Sequence, residues 1–263
     1  MLEQFGRDLT ALAAMGALEP LIGRKEEIRR IIDILSLPGK NNPVLVGPPG
    51  VGKTFIVEGF AQYLASGEVP EALKGRKLFQ LDYNSLISGT IYRGMLEERI
   101  DKVLEELLEH KEFIVFIDEI HAIVPQTCFS ENTRMRFVNA LKPHLARGDI
   151  TVIGATTEVE FKKNLEEPDA AFARRFIKIR IGEPPKEDLK LILQRVGKRM
   201  GSRYGMIIPE LTIDCTIQLA EEYIRDRFFP DKAIDLMKEA LAEKRFSNSA
   251  ADLRGDLQIL EDI

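Results

Sequence analysis

A run of eight residues from Gly47 to Thr54 carries the clearest chemical pattern in this sequence. Its letters, GPPGVGKT, match GxxxxGK[ST] in full, between a predicted strand and a predicted helix. Small residues let backbone N–H groups turn toward phosphate oxygens, and the amino end of a helix adds favourable partial charge. We therefore predict a nucleotide site in which Lys53 reaches the β- and γ-phosphates and the Thr54 hydroxyl ligates Mg²⁺. A plain glycine-rich turn before a helix is the alternative.

Two adjacent carboxylates, Asp118 and Glu119, follow the apolar run 113–117. Acids at the carboxyl end of a buried parallel strand lie in the crevice where such sheets bind ligands. Asp118 fits Mg²⁺ coordination through water, and Glu119 fits the general base that deprotonates the attacking water. A metal-binding acid alone would suit a nucleotide kinase or a switch GTPase equally well, whereas the adjacent glutamate favours ATP hydrolysis. Two solvated acids that cap a strand are the alternative.

Three further groups have both a functional and an ordinary interpretation. A threonine hydroxyl in residues 154–157 would hold the attacking water or contact the γ-phosphate, or it would cap the following helix. Arg174 and Arg175 would reach into a partner subunit and stabilise the negative charge that phosphoryl transfer spreads over the γ-phosphate, or they would be ordinary surface residues. Tyr92 lies between two glycines in a predicted loop, where it would contact a partner or fold back on the core.

The elements that must position these residues are predicted from hydrophobic patterning. Apolar runs at 43–47, 77–81, 113–117, 150–154 and 176–181 predict five strands, the last with the alternation of a sheet edge. Residues 96–108 carry one apolar face at helical spacing. Strands that alternate with helices predict a parallel sheet covered on both sides. The sequence therefore predicts an α/β fold with a five-stranded parallel sheet flanked by helices.

The two prolines in Gly182–Pro185 break this alternation. Beyond them, helices are predicted at about 187–201, 212–226 and 231–246, with no strand between. We expect a large nucleotide-binding domain at 1–182, a small all-helical lid at 183–247, and a linker with the start of a further helix at 248–263.

Composition excludes several classes of protein. The chain has 263 residues, enough for a real core, and its charge is 37 − 42 = −5. An acidic chain argues against bulk binding to nucleic acid or to an anionic membrane. Two cysteines 87 positions apart and three scattered histidines make neither a disulfide framework nor a metal site. The sequence has no signal pattern or membrane span, so we expect a cytoplasmic protein, or one of an organelle matrix if a targeting segment was removed.

Many short segments together resemble the first ATPase module of Clp-type AAA+ chaperones, the unfoldase and disaggregase group that includes ClpB, ClpA and ClpC. The resemblance covers nearly the whole chain. The matching segments are Gly6–Thr10, Leu21–Arg24, Asn41–Leu45, the phosphate loop, Val57–Gly59, Val69–Pro70, Leu73–Gly75, Tyr92–Gly94, Glu97–Arg99, Phe116–His121, Leu141–Pro143, Ile153–Thr157, Arg174–Phe176 and Arg227–Leu236.

The resemblance implies ATP or ADP and Mg²⁺ as cofactors, and a role for each matching residue. Asp118 and Thr54 would hold Mg²⁺, Glu119 and Lys53 would be catalytic, and Thr157 would be the sensor threonine, with Thr156 the less favoured position. Arg174 and Arg175 would be arginine fingers that act on a neighbouring subunit, which implies a ring, usually a hexamer, although this chain alone could be a monomer. Tyr92 would be the pore-loop tyrosine that grips a polypeptide. The nucleotide contacts would come from Gly47, Pro48, Pro49, Gly50, Val51, Gly52, Lys53 and Thr54 around the phosphates and from Ile22, Gly23, Ile192, Pro230 and Asp231 around the adenine.

Three departures from the family pattern stand out. Residues 125–132 replace the glycine-rich second pore loop, and Pro168 resembles a one-residue insertion that would shift the reach of the arginine fingers. The sequence contains one ATPase module, without an adaptor domain, a second ring or a protease-docking loop, and 252–263 resembles the start of a coiled-coil middle domain. We expect a piece of a longer chaperone or a short single-ring relative.

The leading hypothesis is an ATP-hydrolysing AAA+ module that couples hydrolysis to protein unfolding, disaggregation or threading. An alternative is a nucleotide-dependent assembly or regulatory subunit with little turnover of its own. A motor on DNA is disfavoured, because the chain is acidic and has no basic recognition helix. The expected partners are polypeptide substrates and other subunits, not nucleic acid or membranes.

Overall fold

The computed structural model describes residues 2–39, 41–88, 93–124 and 131–246. These residues form two compact units. One contains residues up to Gly47 together with Lys53–Ile181, and the other contains Pro48–Gly52 together with the chain from Gly182 onward. The tip of the phosphate loop thus groups with the second unit, which differs from a simple division along the chain. The domain boundaries at 182 and 247 stay predictions.

A six-stranded sheet forms the centre of the first unit. Its strands are β1 (Gly6–Asp8), β2 (Asn42–Val46), β3 (Lys77–Leu81), β4 (Phe113–Ile117), β5 (Thr151–Thr156) and β6 (Phe176–Arg180). They lie side by side in the order β1-β3-β4-β5-β2-β6. Strands β2 to β6 are parallel, which confirms the predicted parallel sheet, and β6 lies at an edge as predicted.

The prediction of five strands is wrong by one, because β1 adds an antiparallel edge beside β3. Its three residues, Gly6-Arg7-Asp8, are mostly polar and carry no hydrophobic pattern, so the sequence gives no strand prediction there. Tertiary contacts hold the segment in place. A Cβ atom on Gly6 would lie 2.2 Å from the carbonyl oxygen of Gln80, so only glycine fits at this approach.

Helices cover both faces of the sheet. They are α1 (Leu9–Ala14), α2 (Lys25–Leu35), α3 (Lys53–Ser66), α4 (Tyr83–Ile87), α5 (Arg93–Glu109), α6 (Glu131–Arg147), α7 (Glu158–Glu160) and α8 (Ala170–Ala173). On one face α1 and α2 pack on α3, and on the other face α5 packs on α6. The apolar side chains of α5 and α6 join alternate strand residues, such as Val46, Val115 and Val152, in one continuous core. This three-layer arrangement positions the carboxyl ends of the strands, where the phosphate loop and the Asp118-Glu119 pair follow β2 and β4.

The second unit contains three helices with a core of their own. They are α9 (Lys186–Tyr204), α10 (Glu210–Tyr223) and α11 (Asp231–Phe246), which confirms the predicted helical segment after the prolines. Leu189, Leu193, Ile213, Ala233 and Met237 lie at the centre of this core. In the described part of the chain, no helix is both long and apolar enough to cross a membrane.

Candidate nucleotide site

The phosphate loop needs its glycines for backbone reasons. Gly50 and Gly52 have φ angles of 78° and 91°, which side chains with a Cβ atom rarely adopt. A Cβ atom on Gly47 would lie 2.2 Å from the carbonyl oxygen of Ile181. The spacing of small residues in the motif therefore has a steric cause at each of these three positions.

Lys53 is the first residue of α3, and its side chain is buried. Its ammonium group donates a hydrogen bond to the carbonyl oxygen of Gly47 over 2.9 Å. Burial lowers the pKa of Lys53 below its usual value, and the charges of Glu119, Asp118 and Glu160 oppose that shift. A cation held at the amino end of a helix, close to three carboxylates, is suited to an anionic ligand.

Thr54 and Asp118 are brought together from positions 64 residues apart. The Thr54 hydroxyl donates to Oδ2 of Asp118 over 2.7 Å. The other carboxylate oxygen of Asp118 accepts from the backbone N–H of Glu119 over 3.0 Å, which fixes its orientation. A hydroxyl and a carboxylate are hard oxygen ligands of the kind that Mg²⁺ prefers, so this pair fits the predicted metal.

Glu119 leaves β4 in an unusual backbone conformation. Its φ and ψ angles are 51° and 46°, in the left-handed region, and in the described residues only Arg24 shares a positive φ without being glycine. Its side chain is 64% exposed. Strained, exposed carboxylates of this kind concentrate at functional sites, because the surrounding structure stabilises a conformation that the residue itself disfavours.

The two threonines at the carboxyl end of β5 take different roles. Thr156 is fully buried at the end of the strand, and its hydroxyl contacts the ring of His121. Thr157 caps α7, since its hydroxyl accepts from the backbone N–H of Glu160 and the Glu160 carboxylate reaches back to the Thr157 N–H. The helix-cap interpretation of Thr157 is therefore correct. Its role as sensor stays a prediction.

Arg174 and Arg175 are exposed and lie just before β6. The carbonyl oxygen of Arg175 accepts a hydrogen bond from the buried Asn42 amide over 3.3 Å, at the start of β2. Because β2 and β6 are parallel, this places the arginine pair at the amino-terminal ends of the two strands. The phosphate loop follows the opposite end of β2.

The one-residue insertion expected at Pro168 lies beside a π-helical turn, Phe161–Glu166. Its hydrogen bonds span five residues, as in the 3.0 Å bond from the Glu167 N–H to the Lys162 carbonyl oxygen. A π turn holds more residues than an α turn, so an extra residue can be absorbed there before α8 begins. Asp169 then caps α8 by accepting from the Phe172 N–H over 3.0 Å.

The residues predicted to surround adenine are divided between the two units. Ile22 and Gly23 lie in the first unit, in a segment held against α3 by Leu21, whose side chain occupies the space beside Gly59. Ile192 lies in α9, and Pro230 and Asp231 lie at the start of α11, in the second unit. Their shared role stays a prediction. Tyr92 and residues 125–130 lie outside the described residues.

Sequence patterns alone did not single out His121, Glu160 or Asn42 as functional. A detectable pattern existed for Glu160, since Thr157-x-x-Glu160 is a capping box. No local pattern marks His121 or Asn42. Their partners lie 35 and 110 or more positions away along the chain, and only the fold brings them together.

Comparisons with known proteins agree with this geometry. Residues 43–182 match the model of the ATPase family associated with various cellular activities (AAA), and residues 185–261 match an AAA lid domain. The chain is 49% identical over 243 residues to the chaperone protein ClpB of Gloeobacter violaceus, an alignment that spans 92% of this chain and 28% of that relative.

Two solved structures of Hsp104 from S. cerevisiae are also similar. An ADP complex has a TM-score of 0.86 and 38% identity and covers 100% of this chain and 45% of the Hsp104 chain. A casein complex has a TM-score of 0.82 and 39% identity and covers 95% and 42%. The chain thus spans less than half of these proteins, and it belongs to the AAA family of ATPases as a Clp-type module.

Proposed function

We propose that this chain is the ATP-binding and ATP-hydrolysing AAA+ module of a Clp-type chaperone, which couples hydrolysis to protein unfolding or disaggregation. The observation that carries the proposal is the 2.7 Å contact between the Thr54 hydroxyl and the Asp118 carboxylate, beside buried Lys53 and exposed Glu119. A hydroxyl, a carboxylate, an ammonium group and a second carboxylate at one edge of a sheet are the parts that phosphoryl transfer to water needs.

In this proposal each side chain has one task. Thr54 and Asp118 hold Mg²⁺, which would offset phosphate charge when it is bound. Lys53 contacts the β- and γ-phosphates, and its burial increases the strength of that attraction because few waters screen it. The Glu119 carboxylate orients the attacking water and accepts its proton. The backbone N–H groups of the phosphate loop surround the phosphate oxygens.

The experiment that tests hydrolysis is ATP turnover measured against protein concentration for the wild type and Glu119→Gln. Glu119→Gln removes the proton acceptor but keeps the shape, so we expect turnover to be abolished while ATP still binds. Glu105→Gln on α5 is the matched control, since this glutamate is exposed and has no task in the proposed reaction, and it should leave turnover unchanged.

Two outcomes separate the hypotheses. ATP turnover per subunit that rises with protein concentration in the wild type, but not in Glu119→Gln, would support a ring ATPase built as proposed. Tight ATP binding with flat, negligible turnover at every concentration would contradict it and favour an assembly or regulatory subunit.

The position of the arginine pair supports action on a neighbouring subunit. The five residues of β6, at about 3.3 Å per residue, separate the amino-terminal and carboxyl-terminal ends of the strands by roughly 16 Å. An arginine side chain is much shorter than that distance. We therefore propose that Arg174 and Arg175 stabilise charge on a nucleotide bound by the next subunit of a ring.

A polypeptide is the proposed substrate. This part of the proposal is supported by the similarity to a chaperone and by the similar Hsp104 structure, which was determined with casein. Tyr92, in a sequence flanked by glycines, is the residue proposed to grip the polypeptide. The cytoplasmic or organelle-matrix location of the protein stays a prediction.

The polypeptide role can be tested with Tyr92→Ala in the assembled protein. We expect ATP turnover to continue and unfolding of a fluorescent substrate to stop, because the motor would turn without a grip. Tyr223→Ala on α10 is the control, since this tyrosine is 71% exposed in the second unit. Normal unfolding by the Tyr92 variant would refute the grip.

A further inference from the structure

His121 is a buried histidine in the short turn Ile120–Ile123 after β4. Nothing in the proposed hydrolysis uses it so far. Its Nδ1 atom lies 2.9 Å from the Thr156 hydroxyl, at the end of the neighbouring strand β5. The ring is thus anchored to a fully buried residue at the end of a central strand.

The other nitrogen of the ring faces two carboxylates. Nε2 lies 3.4 Å from Oε2 of Glu119 and 3.4 Å from Oε1 of Glu160. A carboxylate can only accept, so both contacts are favourable only if Nε2 carries a proton. His121 therefore presents an N–H group to the residue proposed as general base.

Glu160 is held in place independently of His121. Its Oε2 atom accepts from the Thr157 hydroxyl over 2.9 Å and lies 3.3 Å from the Thr157 N–H. The Thr156 hydroxyl lies 3.3 Å from the same oxygen. Of the two carboxylates beside Nε2, Glu160 is thus fixed by the helix cap, whereas Glu119 is 64% exposed and has the greater freedom.

These contacts form a chain from the end of β5 to Glu119. It runs from Thr156 and the capped Glu160, through the imidazole ring, to the Glu119 carboxylate. Groups that orient a functional side chain work only when they are themselves held by packing and hydrogen bonds, and His121 meets this condition.

We propose that His121 is a positioning residue, which holds the Glu119 carboxylate in the orientation needed to accept a proton from water and couples that orientation to the threonines at the end of β5. The inference rests on the proposed role of Glu119. It adds a third residue to the Asp118-Glu119 pair, three positions after Asp118, and joins both to the strand that carries the candidate sensor.

The same three side chains invite a different interpretation. One ligand atom each from Glu119, His121 and Glu160 lies within 4.8 Å of the others, a separation that a metal ion could bridge. A metal bound there would occupy the carboxylate that must receive the proton. The positioning role uses all the contacts present, including the bond to Thr156, without removing Glu119 from the reaction.

The kinetic test compares His121→Ala with His121→Gln in the full chain. Alanine removes the N–H group, whereas glutamine places an N–H group near the position of Nε2. We expect kcat to fall roughly 10-fold to 100-fold in His121→Ala, the range seen when orienting groups are removed, with KM for ATP unchanged and most activity restored in His121→Gln. His144→Ala, which removes a partly exposed histidine beside Asp149, is the control.

Two kinetic results would overturn the proposal. One is an equal loss of kcat in the alanine and glutamine variants, because the shape of the ring would then matter rather than its N–H group. The other is a raised KM with kcat unchanged, because His121 would then affect nucleotide binding.

A spectroscopic test does not depend on turnover. The chain has three histidines, so the ring nitrogens of protein labelled with ¹⁵N-histidine give few NMR signals. We expect a protonated Nε2 for His121 and a clear shift of that signal in Glu119→Gln, with the signals of His110 and His144 unmoved. A His121 signal that ignores Glu119→Gln would overturn the proposal, as would one that shifts on addition of one equivalent of Zn²⁺ with loss of the Nε2 proton.

The two proposals fail in different ways. If Glu119→Gln retains full turnover, the general-base role fails, whatever the NMR signal does. If Glu119→Gln abolishes turnover but His121→Ala keeps the wild-type kcat, the hydrolysis proposal survives and the positioning role is wrong.

Discussion

At the scale of single residues, the conformation of Glu119 has an energetic consequence. A left-handed backbone costs a residue with a Cβ atom about 1–2 kcal/mol relative to the right-handed form. Glu119 adopts it with φ of 51°, at the junction between β4 and the turn that carries His121. The chain therefore loses stability at the position where the carboxylate is presented, as expected where function and stability compete.

This trade-off predicts an inverted order of stability. At position 119, Glu119→Gly should be about 1 kcal/mol more stable than Glu119→Ala, because both remove the carboxylate and only glycine adopts this backbone freely. Free energies of unfolding from urea denaturation measure the difference. Both variants should lack ATP turnover.

The control is the same pair of substitutions in a helix. At exposed Glu105 within α5, alanine should be about 1 kcal/mol more stable than glycine, the ordinary helical order. If alanine is the more stable residue at both positions, residue 119 does not adopt the left-handed conformation.

At the scale of elements, Asn42 joins three strands. Pro43, the next residue of β2, has no N–H group to donate, and proline is rare in central strands for that reason. The Asn42 side chain accepts from the Val152 N–H of β5 over 2.7 Å and donates to the Arg175 carbonyl oxygen beside β6. Its amide thus extends the hydrogen bonding of the sheet where the backbone pairing of β2 with β5 begins only at Val44.

Asn42→Ala should lower the free energy of unfolding by about 1–3 kcal/mol, because it leaves the buried Val152 N–H without its acceptor. Chemical denaturation measures the change. Asn139→Ala on α6 is the control, since Asn139 is exposed and should change stability by less than about 0.5 kcal/mol. Equal stability of the Asn42 and Asn139 variants would mean that a water molecule replaces the amide.

At the scale of the whole molecule, the arginine pair of one chain lies at the amino-terminal ends of the strands, and the candidate base lies at their carboxyl-terminal ends. A site that contains both groups would need two chains. If the arginine pair acts as proposed, hydrolysis should depend on assembly, because an arginine supplied by a partner contributes on the order of 10³–10⁵ in rate in GTPases.

Mixing two inactive variants tests this dependence. Glu119→Gln lacks the base, and the double variant Arg174→Ala, Arg175→Ala lacks the arginines. In an equimolar mixture, about one site in four pairs an intact base with intact neighbouring arginines, so we expect about a quarter of wild-type turnover in a randomly mixed ring. Turnover no higher than the sum of the separate variants would show that the arginines act within their own chain.

The sequence predicted the parallel strands β2 to β6, because the buried strands of a parallel sheet require nearly continuous apolar runs and the edge strand β6 alternates. It missed β1, whose mostly polar residues are held by their neighbours rather than by their own pattern. The lid helices were predicted within a few residues, since their apolar spacing is local. The end of α9 at Tyr204 and the start of α10 at Glu210 depend on the turn between them.

By itself, the sequence determined the phosphate loop, the Asp118-Glu119 pair and the succession of strands and helices along the chain, because the physical causes of these features act between residues close along the chain. Only the tertiary structure decided which distant side chains meet. Thr54 bonds to Asp118, His121 contacts Thr156 and Glu160, and Asn42 joins β5 to Arg175. Each of these contacts joins residues that lie on, or directly follow, different strands of the sheet. The partners are therefore set by the side-by-side order of the strands, which no local pattern encodes.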